Sequence, residues 1–74
     1  MTAFNERFRE LRKKKGLSQR ELANVLHMSN STVAMYETGK RQPDFESLEK
    51  IADFFNVDID YLLGRKDTTN RIVE

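Results

Sequence analysis

Residues 18–37 read SQRELANVLHMSNSTVAMYE, and the interpretation of this stretch decides the fold. Ser18 followed three residues later by Glu21 is a capping-box pattern, set just ahead of the apolar positions Leu22, Ala23 and Leu26, so a helix starts there. The apolar period breaks at His27 and Met28. Ser29 then offers a second side-chain oxygen to the free N–H groups of a new helix carrying Val33 and Tyr36. Helices joined by so few residues cannot lie parallel, so Leu22, Leu26, Met28, Val33 and Tyr36 are expected to pack in the angle between them, with Ala23 where they come closest. The outer face of the second helix is left with Asn30, Ser31, Ala34 and Met35.

Working outward towards the N-terminus, Phe4, Phe8 and Leu11 form an apolar stripe, which predicts a first helix capped or flanked by Asn5 and running to about Lys15. Lys13 to Lys15 suit the negative end of that helix, Gly16 can take the left-handed turn after it, and Leu17 precedes the next cap as a staple against Leu22. In the other direction, Thr38-Gly39-Lys40-Arg41-Gln42-Pro43 is a helix stop followed by a polar, basic loop. Asp44 is expected to cap a fourth helix with Phe45, Leu48, Ile51, Ala52 and Phe55 inward and Glu46, Glu49, Lys50 and Asp53 outward. Phe54 falls off this stripe, and two readings stay open for it: filling a groove beside the last helix, or self-association. Asn56 ends the helix, Val57 returns to the core, and Asp58 caps a last short helix through Leu63 with Gly64 as its stop. RKDTTNRIVE has no sustained period, so the chain divides into a domain over 1–64 and a flexible tail or start of a linker over 65–74.

A chain of 74 residues makes one small domain, which buries only roughly 60% of the surface its unfolded form would expose. It has no cysteine and a single histidine, so neither disulfides nor a zinc cluster supplement the core, and no metal or cofactor is expected. No apolar run approaches the roughly 20 residues of a membrane span, and the chain reads as soluble and cytoplasmic. The net charge of +1 hides an asymmetry: nine Lys or Arg against four Glu through Arg41, then four Lys or Arg against eight acids. The first half is the one suited to meet an anion, through Arg7, Arg9, Arg12, Lys13, Lys14, Lys15, Arg20, Lys40 and Arg41. A catalytic reading finds no support, because Ser29 and Ser31 lack a His base with an orienting acid.

Leu17-Ser18-Gln19, Glu21-Leu22-Ala23, Val33, Tyr36-Glu37, Gly39-Lys40-Arg41, Pro43, Leu48 and Ile51-Ala52 together resemble the Cro and C1-type repressor family, also called the xenobiotic-response-element helix-turn-helix family. The resemblance covers nearly all of Phe4 to Gly64. It implies an all-α, compact five-helix domain of the lambda-repressor-like kind, whose second and third helices form the DNA-binding motif. It also implies that Gln19 contacts a phosphate and braces Asn30, that Asn30, Ser31 and Met35 reach base edges, and that Thr32 holds backbone phosphate or supports a neighbour. Arg12 and Glu37 match a family pair that forms an internal salt bridge. The segment from Val57 to Gly64 resembles the helix that often pairs two monomers in phage-type repressors. His27 departs from the family, whose usual residue at this turn is Gly.

The physics of groove recognition agrees with that resemblance. A helix fits the major groove, where Asn30 can bond adenine N6 and N7, Ser31 can donate or accept, and Ala34 or Met35 can pack on a thymine methyl. Arg20, Lys40 and Arg41 suit phosphates, which set register without reading sequence. One small domain makes few base contacts, so a palindromic double-stranded operator and a weak homodimer through Phe54, Tyr61 and Leu62 are expected. Repression is the default outcome, and a longer parent protein would add a C-terminal regulatory domain or meet a regulatory protein. The competing expectation is a protein-interaction or antitoxin-like module that keeps the same fold and uses the apolar last helix.

Overall fold

The computed structural model describes residues 3–69 and 71. These residues form five helices, α1 (Phe4–Lys14), α2 (Gln19–Leu26), α3 (Asn30–Thr38), α4 (Phe45–Phe55) and α5 (Ile59–Leu62). Four of the five starts are capped as their residue types dictate. Ser18 Oγ accepts from the Glu21 N–H at 3.0 Å while Glu21 accepts from the Ser18 N–H at 2.8 Å. The Thr32 N–H donates to Ser29 Oγ at 3.1 Å, the Ser47 N–H to Asp44 at 2.8 Å, and the Tyr61 N–H to Asp58 at 2.8 Å. At α1 the cap position belongs to Ala3, and Asn5 lies inside the helix. Glu6 there makes a long 3.5 Å contact back to the Ala3 N–H, so an acid one turn in replaces the expected Asn.

All five helices end alike. Gly16, His27, Gly39, Asn56 and Gly64 have positive φ, and the N–H after each bonds the carbonyl five residues back, as Met28 does to Ala23 at 2.9 Å and Lys40 to Met35 at 3.0 Å. This Schellman ending reverses the chain sharply. Where the residue after the turn is apolar, at Leu17, Met28 and Val57, it folds back against the core. His27, at φ 56° and ψ 45°, adopts without a glycine's freedom the conformation its position demands.

Phe8 is the hub of the core. It is fully buried and makes edge contacts with Tyr36 of α3 and Phe55 of α4, at 5.8 Å and 6.3 Å between ring centroids, while Phe4 stacks on it at 5.4 Å. Leu22, Leu26, Val33, Ile51, Val57 and Leu62 close around this cluster. Two expectations fail. Phe45 is 68% exposed because it is the first residue of α4, where a side chain leans back towards the helix start and meets no preceding turn. Leu62 is 0% exposed: a one-turn helix has room to aim one residue squarely at the core, and that residue is not available to a second copy in this conformation.

In its described part the segment after Gly64 makes polar contacts with the body. The Asp58 N–H donates to Thr69 Oγ1 at 3.0 Å, Lys66 pairs with Asp58 at 3.2 Å, and Arg71 bonds the Ala52 carbonyl at 3.3 Å and Asp53 at 3.0 Å. Single polar side chains hold this segment, so it leaves no apolar period to read.

Two of the caps are expected to weaken in acid. Hydrogen bonds to the Ser18 backbone and side chain hold the Glu21 carboxyl below its ordinary 4.5, and those to Ser47 hold Asp44 below 3.8. A depressed carboxyl contributes stability above its unfolded value and loses it as pH falls through the folded one. Thermal unfolding midpoints are therefore expected to drop as pH is lowered through and below these values, and Glu21→Gln should flatten part of that drop. His27→Gly should stabilise the chain by about 1 kcal/mol in denaturant unfolding, by removing a left-handed non-glycine residue.

Candidate nucleic-acid interface

The α2–α3 pair is set by a buried charge cluster. The Arg12 guanidinium of α1 donates to both carboxylate oxygens of Glu37, through Nε and through Nη2, the latter at 3.2 Å, and Nη1 donates to the Leu17 carbonyl at 2.8 Å. The side chains are 12% and 4% exposed. Gln19 Nε2 adds a bond to Glu37 at 3.2 Å. A forked cation thus joins α1, the turn before α2 and the last turn of α3, while Gln19 ties the start of α2 to the same acid. The Gln19 amide, expected to brace Asn30, has one of its N–H donors directed to Glu37.

With α3 held from behind by Val33, Tyr36 and Glu37, all buried, its opposite side is open. Asn30 and Ser31 are exposed in its first turn, whereas Ala34 and Met35 are half-buried. Thr32 is half-buried too, its hydroxyl 2.8 Å from Ser29 Oγ, so its visible role is at the helix start. Arg20 is exposed near the N-terminus of α2. The Lys40 and Arg41 N–H groups both turn back to the Met35 carbonyl, at 3.0 Å and 3.3 Å, which anchors the backbone of the basic loop to the end of α3 and leaves both side chains in solvent. The free N–H groups at two helix starts, the polar first turn of α3 and these cations make a surface suited to a polyanion.

Two residues belong elsewhere than the basic-face reading placed them. Arg7 is 6% exposed with its guanidinium 3.9 Å over the Tyr61 ring, and Arg12 is the buried anchor just described. Charge counting alone misses this, although the position of Arg7 beside Phe8, one turn after Phe4, was a signal. Tyr61 is half-buried beneath Arg7, and Phe54 is half-buried, edge-on to Phe55 at 5.1 Å and with the Lys15 ammonium 5.1 Å from its ring centroid.

Arg12→Ala is expected to cost about 3–5 kcal/mol in denaturant unfolding, because it strands a buried carboxylate and a carbonyl. Replacing Arg12 and Glu37 together by Leu should cost far less.

Comparison with known proteins agrees with this geometry. A helix-turn-helix family model matches residues 8–62. The chain is 42% identical over 64 residues to the HTH-type transcriptional activator BcrR of Enterococcus faecalis, covering 86% of this chain and 31% of that protein. It is 43% identical over 72 residues to the HTH-type transcriptional regulator AnsR of Bacillus subtilis, covering 93% and 62%. The crystal structure of a transcriptional regulator from Listeria innocua superposes with a TM-score of 0.78 at 38% identity, covering 82% of this chain and 57% of that one. The chain therefore spans between about a third and three fifths of the length of these relatives, and matches them through its helical domain. On the family match, the relatives and the shared five-helix architecture, the chain belongs to the helix-turn-helix family of Cro and C1-type transcriptional regulators.

Proposed function

We propose that the chain binds operator DNA sequence-specifically by laying α3 in the major groove, and that it represses transcription as a homodimer. The observation that carries this reading is the exposure of Asn30 and Ser31 at the start of a helix whose other side is fixed by Glu37, Val33 and Tyr36. In this reading Asn30 and Ser31 read base edges, Ala34 and Met35 line the groove with their uncovered parts, and Arg20, Thr32, Lys40 and Arg41 meet phosphates. Gln19 contributes by holding Glu37 and, through it, the angle of α3.

Few base contacts fit one copy, so a second copy related by a twofold axis supplies the remaining discrimination. Phe54 and Tyr61, both half-buried, are the residues left for that pairing once Leu62 is assigned to the core. A dimer seated over a promoter excludes polymerase. Activation is the second reading, favoured by the name of the enterococcal relative and by the exposed acids Glu46, Glu49 and Asp53 on α4, which would meet polymerase when the operator lies upstream.

Selection of preferred duplexes from random DNA tests the proposal. It should return a palindrome with half-site centres about 34–36 Å apart. Replacing Asn30 and Ser31 together by Ala should change the selected motif and leave helicity intact. Arg41→Gln should weaken all duplexes alike and lower the salt dependence by about one ion. A motif unchanged by the double substitution refutes the assigned reading face, and selection of no motif at all refutes specific binding.

A further inference from the structure

Arg7 is a buried cation without a close counter-ion. Its carboxylate neighbours stand off, Glu10 at 3.9 Å from Nε and Asp67 at 3.8 Å from Nη2, and those side chains are themselves 67% and 88% exposed. Both separations exceed hydrogen-bond length. Nη1 is buried with no hydrogen-bond partner among the described residues. A guanidinium presents its donors in a planar fork matched to a carboxylate, and a desolvated donor left unpaired is a standing cost to the fold. The Tyr61 face under the fork offsets part of that cost without satisfying any N–H directed in the plane.

Arg7 lines a cleft of about 430 Å³ together with Glu10, Leu11, Lys13, Lys14 and Tyr61. The lining holds three cations against one acid, an excess of two positive charges that Asp67 beside Nη2 reduces to one, while Leu11 and Tyr61 supply apolar surface. The cleft lies on α1 and α5; none of its lining residues is among those assigned to DNA, and Tyr61 alone is shared with the residues assigned to pairing. We propose that it binds a small organic dicarboxylate, with one carboxylate on the Nε–Nη2 edge of Arg7, where Glu10 and Asp67 stand off, and the other on Lys13 and Lys14 at the exposed rim. Asp67, loosely placed beside Nη2 on the chain's own tail, is the group that such a ligand displaces.

The test is a titration of the isotope-labelled 74-residue chain with sodium succinate, compared with sodium chloride at matched ionic strength and followed by amide and arginine Nε–H resonances. Saturating shifts are expected at the Arg7 side chain and the amides of Leu11, Lys14 and Tyr61 with succinate, and none that saturate with chloride. Lys14→Gln, on the exposed rim, should weaken succinate about two- to fivefold. Arg7→Lys, which keeps the charge and loses the fork, should abolish saturation; if that variant does not fold, Lys14→Gln decides alone. Shifts that grow linearly and equally in both salts, or a saturating response that Lys14→Gln leaves unchanged, would overturn the proposal.

Discussion

The geometry of the domain depends on one buried acid, Glu37, and the cation that satisfies it. Taking a carboxylate out of water is expensive unless its lone pairs are met. Here they are met by Arg12 from α1 and Gln19 from α2. Arg12 also donates to the Leu17 carbonyl, so the cluster joins α1, the turn before α2, the start of α2 and the end of α3, and the angle of α3 cannot change without breaking several charge-assisted bonds together. Apolar packing around Phe8 supplies cohesion, but it tolerates small slides. The forked pair does not, and it is what turns a compact bundle into one with a defined outward helix.

The bundle is held to that geometry by its turns. Each reversal is made within a few residues of backbone, with the same hydrogen-bonded ending repeated at all five helices. Such turns leave little slack between neighbouring elements, and three of them are followed by an apolar residue, Val57 in the core and Leu17 and Met28 packed against it. The arrangement suits a chain this short, which has too little interior to correct a badly aimed helix by packing alone.

Much of this was legible from residue order. Side-chain caps at Ser18, Ser29, Asp44 and Asp58 and the stops at Gly16, Gly39, Asn56 and Gly64 mark helix ends through local chemistry, which depends little on the rest of the fold. Phe4, Phe8, Val33, Tyr36, Ile51 and Phe55 follow from helical period. What escaped the reading depends on tertiary placement. Phe45 fits the stripe of α4 by number, yet the stripe has no neighbour to cover its first turn. Arg7 counts as a surface charge until α5 is seen to bring Tyr61 beneath it. The Gln19 amide has several acceptors within reach by sequence, and only the folded position of Glu37 selects one. The tail contacts of Lys66, Thr69 and Arg71 are isolated polar bonds with no repeating pattern.

Along α3 the tasks are divided by position. Ser29 and Thr32 build its start, Val33, Tyr36 and Glu37 fix it to the body, and the Met35 carbonyl anchors the loop beyond. Among the described residues Asn30 and Ser31 take no part in these contacts, and both are exposed. A lineage carrying this scaffold can therefore rewrite those two letters at small energetic risk. On the proposed reading of Asn30 and Ser31, new targets are reached by changes at the surface alone, while the buried contacts that aim the helix stay fixed.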